Sequence, residues 1–217
     1  AFDYDPLGAP IEISSDIGRR DASSWFFWQP CVGGFRIVDF DKDSGLDADE
    51  WCDRLNNRAI DRGYKIGRIW LPQDAKARTF AAKHSAIEIF IQHFGTEIME
   101  ITPACEVSDR INAARRVIRR TSFHRTKTER GRDGLSAWSF VYDEERKDFS
   151  REPDHNWASH DGDSFSYGAI VMEEEYAPAK PEKPRSLSVG GNDFSEQVTL
   201  NDLWQDHERH LSRVQRI

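Results

Sequence analysis

Residues 11–21, Ile-Glu-Ile-Ser-Ser-Asp-Ile-Gly-Arg-Arg-Asp, limit the fold more than any other stretch of the chain. Ile11, Ile13 and Ile17 mark a short strand, and Gly18 permits a tight turn beyond it. Within that strand stands a carboxylate, Asp16, with Asp21 on the far side of the turn. Burying a carboxylate is costly unless a cation or hydrogen-bond donors meet it. Either Asp16 caps its own turn, or the rest of the fold brings other groups back to it.

The rest of the chain supplies an α/β frame. Ser24–Gln29 is an aromatic run suited to a strand, Val32-Gly33-Gly34 turns, and Phe35–Phe40 alternates as a third strand, so the start reads as an antiparallel meander. Asp47 and Glu50 form a capping box for a helix with Trp51, Cys52, Leu55 and Ala59 on one face, closed by Gly63. Lys65–Leu71 is a fourth strand, ended by Pro72-Gln73-Asp74. Ser85 and Glu88 open another helix, closed by Gly95, and Glu97–Ile101 is a fifth strand. Helices are expected from Ser108 to about Arg120, from Gly134 to Glu145 and from Ser159 to Glu174. The plan is a three-layer α/β fold with a mixed, five-stranded central sheet flanked by helices. Residues 1–10 read as a lead-in, 11–175 as one domain, 176–198 as a Pro/Lys-rich linker and 199–217 as an amphipathic helix.

A chain of 217 residues with 7 Trp and 13 Phe can build such a core without a disulfide or structural zinc. Cys31, Cys52 and Cys105 are an odd, widely spaced set, which points to a reducing, intracellular setting. No apolar run approaches a membrane span, so no membrane partner is expected. The chain begins with Ala1 and holds no GxxxxGK[ST] phosphate loop, as expected of a piece of a longer protein.

Three acids stand where chemistry is possible: Asp16 after strand one, Asp74 after strand four and Asp163 in the last helix. If strands one and four are neighbours, Asp16 and Asp74 lie roughly 5 Å apart at one sheet edge. The crevice of an α/β sheet opens at the carboxyl ends of its strands. His160 and Asp163, three residues apart, share a helix face. Clustered carboxylates repel unless a cation joins them, and hard oxygen ligands favour Mg²⁺ or Mn²⁺ over Zn²⁺. Taken singly, Asp74 also fits a plain turn, and His160 and Asp163 fit the first turn of a helix.

Charge is the second signal. The formal net charge is −8, yet Arg110 to Arg132 carries nine cations against Glu129, a local +8. Such a run is either a solvated face or a phosphate-tracking surface, and the near absence of acids favours the latter. Ser122–Gly131, between helices, is expected to be a mobile loop over the substrate.

SSDIGRRDASSWFFWQ, GYKIGRIWLPQDA and HNWASHDGDSFSYGAI, in this order and spacing, closely resemble the C-terminal nuclease domain of tailed-bacteriophage terminase large subunits. The resemblance runs from about Ile11 to Met172. It implies a ribonuclease-H-like fold and a metal-dependent endonuclease that cuts concatemeric double-stranded DNA during genome packaging. It also implies an upstream ATPase domain, a small terminase subunit and a portal protein as partners, the last reached through 199–217, and a site of action in the host cytoplasm, transiently at the procapsid. By the family pattern Asp16, Asp74 and Asp163 are the metal-binding, catalytic carboxylates, with Asp21, His160 and Asp161 around them. Two Mg²⁺ or Mn²⁺ ions about 3.5–4 Å apart would be bridged by Asp16. Arg115, Arg116, Arg119, Arg120, Arg125, Lys127, Arg130 and Arg132 would hold the DNA backbone. The sequence departs from the pattern at Gln73, where His is frequent, at Ser166, where Arg is common, and at Asp161, where a small residue is usual. A Holliday-junction resolvase or transposase-like nuclease shares the acids and the fold class, and a non-catalytic DNA- or portal-docking module is the other reading open at this point.

Overall fold

The computed structural model describes residues 2–18, 21–77, 83–145 and 147–176. The linker expected after Tyr176 and the helix expected over 199–217 lie outside the described residues.

The sheet is built from β1 (Ile11–Asp16), β2 (Ala22–Cys31), β3 (Gly34–Ser44), β4 (Ile66–Leu71), β5 (Met99–Ile101) and β6 (Thr121–Phe123). Their order across the sheet is β5-β4-β1-β2-β3-β6. Only β2 runs against its neighbours; β1 and β4, β4 and β5, and β3 and β6 pair in parallel. The fold class is the expected mixed α/β one, extended by β6. Ser122–Gly131 is therefore not a loop between helices: it contributes to β6 and to the start of α4 (Glu129–Ala137).

β2 shows how strand alternation sets two layers. Successive side chains point to opposite faces, so Trp25 and Phe27 face one side and Phe26 and Trp28 the other. The first pair packs with Trp51, Cys52, Leu55 and Ala59 of α1 (Ala48–Arg62) and Phe90 of α2 (Ala86–Phe94). The second packs with Ala113, Ala114 and Val117 of α3 (Val107–Val117) and Phe165, Ala169 and Met172 of α5 (Ser159–Glu175). Each large apolar side chain among these contributes roughly 1.5–3 kcal/mol by leaving water. Both capping boxes form, at Asp47/Glu50 and Ser85/Glu88, and Gly63 ends α1 at φ 66°. Cys31, Cys52 and Cys105 are unpaired. No helix among the described residues is long and apolar enough to cross a membrane.

Two further expectations are corrected. Ile118 does not extend the buried face of α3; the chain tightens into a 3-10 turn at Ile118–Arg120 and leaves Ile118 42% exposed. The helix expected over Gly134–Glu145 is split. α4 ends at Ala137 and an antiparallel hairpin follows, β7 (Phe140–Asp143) with β8 (Asp148–Pro153). Leu135, Trp138, Val141 and Tyr142 satisfy a helical spacing, but Phe140-Val141-Tyr142 is also a β-favouring run, and Val141 and Tyr142 are exposed rather than core.

α5 sits over β1 by reciprocal serine contacts. Ser14 Oγ donates to the Ser164 carbonyl at 2.9 Å, and Ser164 Oγ donates to the Ser14 carbonyl at 3.2 Å. At the other end Tyr176 Oη donates to Glu12 Oε1 at 2.9 Å, so α5 runs antiparallel to β1. Glu12, 4% exposed, is also met by Arg68 and Trp70 Nε1.

Candidate metal centre

The serine contacts set the site. From Ser164 back to His160 is four helical residues and from Ser14 on to Asp16 is two strand residues, each a rise of about 6 Å. His160 thus lies over the end of β1, and its Nδ1 is 2.7 Å from Asp16 Oδ2. β4 lies beside β1 in parallel, Ser14 opposite Trp70, so Asp74, in the 3-10 turn Gln73–Lys76, leaves the sheet at the same end. Ser15 Oγ donates to the Trp70 carbonyl at 2.9 Å and fixes that junction. Gln73 Nε2 reaches the Thr102 carbonyl past β5, at 3.4 Å.

The charge of Asp16 acts on its neighbours at this end of the sheet. Asp74, an exposed residue, is raised above its ordinary value, first by partial loss of water around its carboxyl, then by the charge of Asp16. Asp163 is raised by burial, opposed by Arg110, and raised further by Asp16. The Tyr167 phenol is pushed up by burial, opposed by Arg110, and feels Asp16, Asp163 and Asp74 together. His160 is raised, chiefly by its hydrogen bond to Asp16, against the cost of burial; Asp21 adds to its field.

Arg110 was not among the expected site residues. Its Nη1 donates to Asp163 Oδ1 at 2.5 Å and to Ser166 Oγ at 3.1 Å, and its guanidinium lies 4.7 Å from the Tyr167 ring. A cation beside position 166 thus comes from α3, where α5 itself has only a serine. The sequence signal was an arginine near the start of a helix whose other face is apolar; its partner, 53 residues on, was not visible. Among the described residues, no three His, Cys, Asp or Glu side chains stand together as a ready-made ion site. Asp163 is turned to Arg110.

Asp161 is 1% exposed, with Lys42 Nζ 2.9 Å from Oδ1 and 3.0 Å from Oδ2. A Cβ at Gly134 would strike its carboxylate, so α4 packs on it directly. Burial raises Asp161 and Lys42 opposes the rise. Its charge is met within the fold.

The basic run is dispersed. Arg116 pairs with Glu173 of α5, Lys127 with Asp3, and Arg120 lies over the Phe35 ring. Arg132 donates to the Arg125 carbonyl at 2.7 Å. Arg115, Arg119, Arg125 and Arg130 are exposed.

No family model matches the chain, and no curated protein matches its sequence. Solved structures do. A large terminase from a thermophilic bacteriophage is 17% identical with a TM-score of 0.57, over 76% of this chain and 40% of that one. The large terminase nuclease domain of bacteriophage SPP1, solved with bound Mn, is 12% identical with a TM-score of 0.57, over 78% of this chain and 88% of that one. The large terminase nuclease of thermophilic phage G20c, with bound magnesium, is 17% identical with a TM-score of 0.52, over 78% of this chain and 84% of that one. This chain thus spans about 40% of the length of the first of these proteins and most of the SPP1 and G20c domains. Its described core has the ribonuclease-H-like fold of the large terminase nuclease domains.

Proposed function

We propose that this chain is the nuclease domain of a large terminase, a divalent-metal-dependent endonuclease that cuts double-stranded DNA. The observation that carries the reading is the placement of Asp16 and Asp74 at the same end of two parallel strands, with His160 of α5 on Asp16 and Asp163 one helical turn further along α5, turned to Arg110. Likeness to solved domains that hold Mn or magnesium supports it.

The residues fit hard cations: the charge of Asp16 raises the proton affinity of both Asp74 and Asp163, and Mg²⁺ or Mn²⁺ prefers such oxygens. Asp16 and Asp74 would hold two ions between them, with Asp163 joining once it gives up Arg110. Bound there, the ions supply charge that activates a water toward phosphorus and steadies the leaving 3′-oxygen. Everything else falls to the protein. His160 orients Asp16 and holds a proton between them at Nδ1. Asp21 strengthens that proton's hold, while the Asp161–Lys42 pair fixes the first turn of α5. Arg115, Arg119, Arg125 and Arg130 provide exposed charge for backbone phosphates. In the whole protein an upstream ATPase would move the DNA, with a small subunit and portal as partners in the host cytoplasm.

Supercoiled-plasmid digestion tests this reading. Nicking and linearisation are expected with Mg²⁺ or Mn²⁺ but not with Ca²⁺ or chelator, and Asp16→Asn should abolish both without unfolding the chain. Cleavage by Asp16→Asn at the parent rate would overturn the assignment.

A further inference from the structure

We propose that a groove beside the candidate metal centre takes one unpaired nucleotide of the DNA strand, its base stacked on Trp157. The inference rests on the nuclease reading and adds a base-binding subsite to it. The groove encloses about 680 Å³ and is lined by Lys42, Arg130, Asp133, His155, Trp157 and His160, among others. That volume falls within the roughly 300–1,000 Å³ of small-ligand sites. His160 joins it directly to Asp16.

Trp157 is the reason to assign a base. Its side chain is 62% exposed, whereas Trp25, Trp28, Trp51 and Trp70 are 6% exposed or less. Those four indoles sit in the core and Trp138 is partly buried, whereas this one stands in water at the groove. Its position is held: Lys42 Nζ donates to the Trp157 carbonyl at 2.7 Å and lies 5.7 Å from the ring, and Ala158 N donates to Asn156 Oδ1 at 2.8 Å. A fixed, exposed aromatic face is what a base stacks on, at little cost in ordering.

The charges around it favour a base over a bare phosphate path. Lys42 is already committed to Asp161, so Arg130, exposed and donating to the Lys42 carbonyl at 3.4 Å, is the arginine at the groove to meet one phosphate. Asp133 and Asp21 repel phosphate, but carboxylates accept from the exocyclic amines of bases. In a duplex the base faces are covered by their neighbours, so Trp157 can be used only by a nucleotide out of the stack.

Binding without metal or cleavage tests this. Fluorescence anisotropy of a short labelled oligodeoxycytidylate, whose bases carry an exocyclic amine, and of a duplex of equal length, is followed against the full chain in chelator. Trp157→Ala should weaken strand binding about tenfold and duplex binding by less than about twofold, while Trp157→Phe should stay within about threefold of the parent on the strand. Unchanged strand binding in Trp157→Ala, equal loss on strand and duplex, or a Phe variant as weak as Ala would each overturn it. Because the assay needs no cutting, its failure leaves the plasmid test of the nuclease reading standing, and the reverse holds too.

Discussion

Arg110 of α3 holds Asp163 of α5 at 2.5 Å, so the third carboxylate of the candidate centre is closed by a cation from the protein itself. Burial raises Asp163 and Arg110 pulls it back, so on the proposed reading a divalent ion reaching Asp163 would have to displace Arg110. Arg110→Ala should therefore lower metal-free stability by about 1–3 kcal/mol, because it leaves a half-buried charge unmet. It should also tighten Mn²⁺ binding, and Mn²⁺ should restore the lost stability. Denaturant unfolding and calorimetric Mn²⁺ titration check both halves; weaker Mn²⁺ binding in the variant would show that Arg110 orders the site instead.

His160 gives the fold a pH signature. Asp16 raises its proton affinity, so the folded value lies above the ordinary 6.5. A raised group contributes stability that is whole below its unfolded value and fades as pH rises through the folded one. Thermal melts from about pH 6 to about pH 8.5 should show the parent losing its advantage over His160→Gln across that interval. An advantage that grows with pH would contradict the Asp16 contact.

The docking of α5 depends on Gly168. A methyl there would stand 2.5 Å from Ser14 Oγ and 2.6 Å from Trp28 Nε1, atoms that already bond each other at 2.9 Å. Gly168→Ala should cost roughly 1–3 kcal/mol by overpacking and lift α5 from β1. A shift in the denaturant midpoint measures it, and a neutral result would mean that α5 lies further from the sheet.

The basic run divides by partner. Arg115 and Arg119 are exposed, whereas Lys127 is bound to Asp3 at 2.6 Å. Arg115→Gln and Arg119→Gln should each weaken duplex binding and reduce the salt slope by about 1, while Lys127→Gln should change it little. Affinities at several salt concentrations distinguish them; equal effects would mean that the Asp3 pair opens on DNA.

Much of this was legible beforehand because apolar spacing and caps act locally. Ile11, Ile13 and the Ile69–Leu71 run define β1 and β4, and their parallel pairing carries Asp16 and Asp74 to one end. The caps at Asp47 and Ser85 and the stop at Gly63 read directly. What was not legible was set by distant partners. Arg110 finds Asp163, Arg116 finds Glu173 and Lys127 finds Asp3, and no local pattern encodes those meetings. A run of cations looks uniform in sequence, but the fold deals it to several faces. The hairpin β7–β8 was missed because Val141 and Tyr142 fit a helical period as well as a strand, and only the end of α4 at Ala137 decides between them.

Anomalous diffraction from crystals soaked in Mn²⁺ tests the central claim most directly. The account predicts metal peaks between Asp16, Asp74 and Asp163, with Asp163 released from Arg110. Crystals at saturating Mn²⁺ with no peak at these carboxylates, and Arg110 still on Asp163, would contradict it.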